Sequence, residues 1–126
     1  EVGITNRTRS KAQIISENLG AKVSVVDWRT APEMVGRADL IINATSMGMV
    51  GQPDFSQPIT RAKKTALVID IVYNPLITGL IKEAKKQKLK TVGGIGMLIN
   101  QAVPGFEHWF QTTPVIDDDV RKFIVE

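Results

Sequence analysis

The chain has 126 residues, 43% of them hydrophobic and 23% charged, which suits one ordinary globular domain around one core. The absence of cysteine excludes disulfides and thiolate metal sites and fits a cytoplasmic protein, and no apolar run approaches the roughly 20 residues needed to span a bilayer. The net charge of +3 suits an anionic ligand, but it is also an ordinary surface balance.

Apolar runs alternate with helical stretches. Residues 1–5 read as a strand. Residues 10–19 read as a helix with Ser10 as N-cap, with Ala12, Ile15 and Leu19 on one face, and with Gly20 as its stop. A strand is expected at 22–26 and one or two helical turns at 30–36. At 38–43 the unbroken Leu40-Ile41-Ile42 predicts a strand buried on both faces. A Gly- and Pro-rich loop follows at 46–58, then a buried strand at 66–72 and a helix from about 76 to 87. A short strand at 89–92 and a helix over about 97–111 come next. Pro114 suits the first turn of a closing helix at 113–126, with Thr113 as cap.

Strands separated by helices of this length predict a parallel sheet with right-handed crossovers. No repeat or low-complexity segment interrupts it. The basic run KEAKKQKLK at 82–90 lies on a helix whose other side is Leu80, Ile81 and Ala84, so it reads as a solvated face. It lacks the interleaved aromatics of single-strand binding, and no nucleic-acid partner is expected.

Asn6-Arg7-Thr8 stands where the first strand ends and a helix opens. In a Rossmann-type sheet this is where the adenosine ribose of a dinucleotide lies: an acidic residue binds the 2′-hydroxyl of NAD, whereas Arg accommodates the 2′-phosphate of NADP. Arg7 can grip a phosphate with its planar fork of donors. Asn6 and Thr8 add short polar groups, the helix N-terminus favours negative charge, and Arg9 and Lys11 are near enough to help. The same residues also read as a turn with a solvated Arg. Asn43-Ala44-Thr45-Ser46 follows a buried strand, where small and polar residues mark the ligand crevice of α/β proteins or a plain exit loop.

Asp70-Ile71-Val72-Tyr73-Asn74-Pro75 ends the next strand. Tyr73 offers a hydroxyl there, while Asp70 also reads as a structural carboxylate holding loop amides. Gly93, Gly94 and Gly96 permit close backbone approach or positive φ at the last strand-to-helix turn. Met97 and Gln101 share a helix face, and Gln101 can both donate and accept, as a hydroxylated substrate requires. His108, the only histidine, has no partner histidine and reads as structural. No metal site is expected.

In this order NRT, DLIINATSMGM, DIVYNP and GGIGMLINQA with a following FEHW span almost the whole chain, and the ordered set resembles the C-terminal NADP-binding domain of the shikimate dehydrogenase family. The resemblance implies a Rossmann-like, doubly wound parallel sheet. It also implies an oxidoreductase that reduces 3-dehydroshikimate to shikimate with NADPH in aromatic amino-acid biosynthesis. It places the cofactor at Asn6, Arg7, Thr8, Arg9, Lys11, Ala44, Thr45, Ser46, Ile71, Gly94 and Met97, and the substrate at Tyr73 and Gln101. The closing segment resembles a last helix that packs back toward the family's other domain.

The family's proton-handling Lys and Asp lie in an N-terminal substrate domain that does not appear in these residues. Neither do the first strand, the Gly-rich pyrophosphate loop and the first helix of the nucleotide domain. With Glu1 at its head, the chain reads as cut from a longer protein, inactive alone and poorly stable because of exposed strand edges. A quinate/shikimate relative and a non-catalytic NADP-binding module are the alternatives. Oligomeric state stays open, a homodimer included.

Overall fold

The structure, a computed structural model, describes residues 1–125. The predicted alternation is present throughout, as β1 (Val2–Ile4), α1 (Arg9–Leu19), β2 (Val23–Val25), α2 (Ala31–Val35), β3 (Leu40–Asn43), β4 (Leu67–Asp70), α3 (Gly79–Lys86), β5 (Lys90–Val92), α4 (Ile95–Phe110) and α5 (Asp118–Val125). All strand pairs are parallel. β1 pairs with β2, and β3, β4 and β5 form a second ladder in that order, with Asn43 opposite Asp70 and Ile69 opposite Val92. Among the described residues β1 has only β2 as neighbour and β3 only β4, so each keeps one unpaired edge.

The core lies between the three-stranded ladder and α3. Ile59, Val68, Leu80, Ala84 and Leu89 are buried together, with Val35, Ile41, Phe55 and Ala62 packed against them. Each fully buried aliphatic chain contributes about 1.5–3 kcal/mol. α3 presents Leu80, Ile81 and Ala84 inward and leaves Lys82, Lys85 and Lys86 outside, which is the solvated face expected of the basic run.

Several boundaries differ from the sequence reading for local reasons. α1 starts one residue early, with Thr8 rather than Ser10 at its N-cap. Only Ala12 of its predicted apolar face is buried, while Ile15 and Leu19 are exposed. β3 is not buried on both faces, because Leu40 and Ile42 are 48% and 51% exposed; they lie on a strand with one free edge.

α3 begins at Gly79 because Thr78 caps it, its hydroxyl accepting the Ile81 N–H at 3.3 Å. Pro114 does not open the closing helix. Thr113 instead donates to the Glu107 carboxylate at 2.6 Å, and Asp117 accepts the Val120 N–H at 2.9 Å, so the helix starts at Asp118. Glu126, the end of the predicted closing helix, lies outside the described residues.

At the turn between β5 and α4 it is Gly94 that close approach requires, and none of the three glycines has positive φ. Gly94 has φ of −72°, and Gly96 lies inside α4. A Cβ at Gly94 would overlap the carbonyl oxygen of Ile71 and sit 2.7 Å from that of Val72. The backbone it would strike is fixed, since the Ile71 N–H bonds the Asn43 carbonyl at 3.1 Å. Gly94→Ala in the whole protein is therefore expected to cost about 1–3 kcal/mol by overpacking, read as a lowered midpoint in denaturant unfolding. An unchanged midpoint would mean that this turn does not rest on the end of β4.

Candidate nucleotide-binding site

Parallel pairing in register brings the carboxyl ends of β3, β4 and β5 side by side, and ligands of open α/β sheets bind at such ends. The segments that leave these strands are tied together. The Val50 N–H donates to the Asn74 carbonyl at 3.1 Å, joining the loop after β3 to the loop after β4. Gly94 rests on the Ile71 and Val72 carbonyls, joining the turn after β5 to the same loop. Ala44, Thr45, Ser46, Ile71, Tyr73, Gly94 and Met97 thus lie on three neighbouring segments. Met97 and Gln101 are one turn apart on α4 and both exposed, as is Tyr73.

Beneath these segments lies a polar knot. Asp70, the last residue of β4, is 0% exposed, and Asn43, its partner at the end of β3, is 1% exposed. One Asp70 oxygen accepts from Asn43 Nδ2 at 3.0 Å and from the Val72 N–H at 3.0 Å, and the other accepts from the Thr78 hydroxyl at 2.6 Å. Asn43 Nδ2 also donates to the Met47 carbonyl at 3.0 Å. Its Oδ1 accepts from the Thr45 N–H at 3.1 Å and the Thr45 hydroxyl at 2.7 Å. Thr45 Oγ1 in turn accepts from the Met47 N–H at 3.1 Å. Buried polar groups are tolerated because each finds a partner.

The first strand exit is built differently. Asn6 Oδ1 accepts the Thr8 N–H at 2.8 Å, so its carbonyl shapes the turn. Thr8 makes no side-chain cap, which leaves the first N–H groups of α1 without a capping side chain. Anions favour such a helix N-terminus. Of the nearby cations, Arg9 pairs with Asp27 beyond β2, Nη1 to Oδ2 at 3.5 Å, while Arg7 and Lys11 are exposed and make no ion pair among the described residues. Thr5 Oγ1, at the end of β1, is buried without a hydrogen-bond partner.

No predicted site residue lines either of two surface hollows of about 220 and 290 Å³. One lies between residues 55–60 and α3, the other between the end of β2 and α2. Strand exits make one wall of a crevice, and a second wall has to face them before they enclose volume. No group of three or more His, Cys, Asp or Glu suited to a metal occurs among the described residues, and none of the described helices is long and apolar enough to cross a membrane. His108 is exposed in the last turn of α4.

Sequence reasoning singled out the segments and missed several residues that shape them. Thr78 belongs to no motif, and its pairing with Asp70 spans a turn and a helix start. Asp27 was not foreseen as the partner that draws Arg9 aside. Nor was Gln57, whose side chain donates to the Trp28 carbonyl at 3.0 Å and links the loop after β3 to the end of β2.

Parallel ladders with helical crossovers, an open helix N-terminus behind Arg7 and polar strand exits define a Rossmann-like nucleotide-binding fold. The sequence model of the family described as shikimate / quinate 5-dehydrogenase matches residues 1–97, and the chain belongs to this family. It is 46% identical over 124 residues to the shikimate dehydrogenase (NADP(+)) of Jannaschia sp. strain CCS1, covering 98% of this chain and 45% of that relative. The quinate dehydrogenase of Corynebacterium glutamicum, solved in complex with NAD, superposes with a TM-score of 0.82 at 30% identity, over 91% of this chain and 43% of that one. The shikimate 5-dehydrogenase of Thermus thermophilus, solved with NADP(H) and shikimate, gives 0.77 at 30% identity, over 91% and 42%. The chain spans less than half the length of the proteins it matches.

The Arg9–Asp27–Arg29 cluster has a pH signature. The Arg29 N–H bonds Asp27 Oδ1 at 2.9 Å. That bond, opposed by partial desolvation and helped by the Arg29 and Arg9 guanidiniums, holds the carboxyl below its ordinary 3.8. A carboxyl depressed in the folded state contributes stability in full above its unfolded value and loses it as pH falls through the lowered folded value. The group is partly exposed, so salt screens the effect and keeps it small. NMR titration of the Asp27 carboxyl in the whole protein should give a midpoint below 3.8; a midpoint at or above it would mean that the Arg29 N–H does not brace this carboxyl.

Proposed function

We propose that this chain is the NADP-binding part of a shikimate dehydrogenase that reduces 3-dehydroshikimate to shikimate. The observation that carries the reading is Arg7, exposed and without an ion pair among the described residues, at the end of β1 beside the uncapped start of α1. A doubly negative 2′-phosphate would find there a planar fork of donors, backbone N–H groups and, one turn along, Lys11. Asn6 and Thr8 flank it. Arg9, held on Asp27, acts at one remove. The name of the Jannaschia relative and the NADP(H) bound in the Thermus structure support the same cofactor.

The exits of β3, β4 and β5 take the rest of the cofactor in this reading. Ala44, Thr45 and Ser46 line the cleft, and Ile71, Gly94 and Met97 lie by the nicotinamide end. When bound, the reduced nicotinamide supplies the hydride. The residues of this chain orient it and exclude water, with Tyr73 and Gln101 offering a hydroxyl and an amide to the substrate's oxygens.

Proton transfer falls to a Lys and an Asp of a substrate domain outside these 126 residues. The exposed Trp109 and Phe110 at the end of α4, Val115 after it and Phe123 on α5 are apolar side chains that packing against such a domain would cover. The free edges of β1 and β3, with Val2, Leu40 and Ile42 exposed, suit one further parallel strand between them. The pyrophosphate loop would follow that strand, within reach of Thr5 at the end of β1. The same reading places the chain in a cytoplasmic enzyme of aromatic amino-acid biosynthesis.

Two substitutions in the whole protein test the halves of the site. Arg7→Ala should weaken NADP by about 2 kcal/mol, roughly 30-fold, and leave NAD nearly unchanged; equal losses in equilibrium titrations with both would place Arg7 away from the phosphate. Gln101→Ala should raise KM for shikimate several-fold with NADP affinity kept, and the reverse pattern in steady-state kinetics would remove Gln101 from the substrate side.

A further inference from the structure

Asp70 has no role in the chemistry proposed above, yet it is completely buried and receives three donors from three different parts of the chain. Through Asn43 it governs the loop after β3, since Asn43 holds the N–H and hydroxyl of Thr45 and the carbonyl of Met47. Through the Val72 N–H it sets the path of the chain from Ile71 toward Tyr73. Through Thr78 it fixes the start of α3, whose cap is that same hydroxyl. We propose that Asp70 is a positioning residue for the dinucleotide: its carboxylate holds Asn43 in the one orientation that presents Ala44, Thr45 and Ser46 to the cofactor.

The direction of the hydrogen bonds is what makes an acceptor oxygen at Asp70 necessary. Asn43 spends its carbonyl on Thr45 and its amide on Asp70 and Met47. A flipped amide would point NH₂ at the Thr45 N–H and leave the Met47 carbonyl without a donor. An acceptor-only group opposite Asn43 excludes that flip, because a carboxylate offers no proton to an inverted Asn oxygen. The loop geometry is thus decided at β4, one strand away from the residues that line the cleft.

The proposal rests on the reading of residues 44–46 as cofactor-lining, and the experiment separates the two. In the whole protein, NADP affinity and thermal unfolding are measured for wild type, Asp70→Ala, Asp70→Asn and Thr78→Val. Asp70→Ala should raise the NADP dissociation constant at least tenfold.

Asp70→Asn can keep its oxygen toward Asn43 and Val72 and turn its NH₂ to Thr78 Oγ1, so it should recover most of that loss. Thr78→Val cuts only the arm to α3; it should lower the melting temperature and move the dissociation constant less than twofold. Should Asp70→Ala fail to fold, Asn43→Ala severs the loop arm from its other end, with the same tenfold loss expected.

Wild-type affinity in the variant that severs the loop arm would overturn the proposal, as would equal losses for that variant and Thr78→Val, which would reduce Asp70 to general stability. A wild-type protein with no affinity for NADP would overturn the reading of the cleft itself.

Discussion

The structure turns on one buried carboxylate. Removing a charge from water is costly unless donors replace the lost hydration, and Asp70 has an amide, a backbone N–H and a hydroxyl converging on its two oxygens. None of these donors belongs to the same element as Asp70. The three donors come from the end of β3, the loop after β4 and the first turn of α3, so Asp70 holds these segments as a unit. This is a stronger constraint on the strand exits than the apolar core can impose, because packing is tolerant of small shifts and hydrogen bonds are directional.

That unit accounts for how irregular segments can act as a ligand wall. Residues 44–50 carry no regular structure, yet the Met47 N–H and carbonyl, the Thr45 N–H and the Gly48 and Val50 N–H groups all find partners, the last two at Pro53 and Asn74. The Gly94 contact adds the β5 exit to the same body. Placing polar side chains on loops while fixing those loops from a rigid ladder is how α/β folds combine precision with variable chemistry.

Period and punctuation carried most of the fold. Apolar runs bounded by Gly, Asn and Pro located every strand, and Gly20 ended α1 at φ +79° as its position suggests. What could not be read were choices between equivalent local signals. Thr8 and Ser10 are both competent cap residues in type, as are Thr113 and Asp117, and in the second case a side-chain contact decided between them: the Thr113 hydroxyl went to Glu107. Leu40 and Ile42 read as buried because their neighbours in sequence are apolar, but burial depends on what lies across the sheet, and a pattern along one strand is silent about that. The site segments were legible because their residue types are chemically unusual at strand ends. The Thr78–Asp70 bond was not, since it depends on how far a turn carries the chain before α3 begins.

Cofactor choice in such a protein cannot come from the fold, which NAD- and NADP-bound relatives share. In the reading proposed above it comes from charge at the end of β1, and there the pairing of Arg9 with Asp27 matters more than a count of cations suggests. Three basic side chains, Arg7, Arg9 and Lys11, lie around the start of α1, but Arg9 is paired with Asp27 just past β2, itself braced by the Arg29 N–H. In the proposed reading two remain to face a phosphate of about two negative charges, a balance that avoids both repulsion between crowded guanidiniums and an excess of unpaired charge in the empty state. In that reading an acidic residue placed at Arg7 would reverse the preference by repelling the phosphate while accepting from a free ribose hydroxyl; Asp27, two residues past the end of β2, is already paired with two arginines.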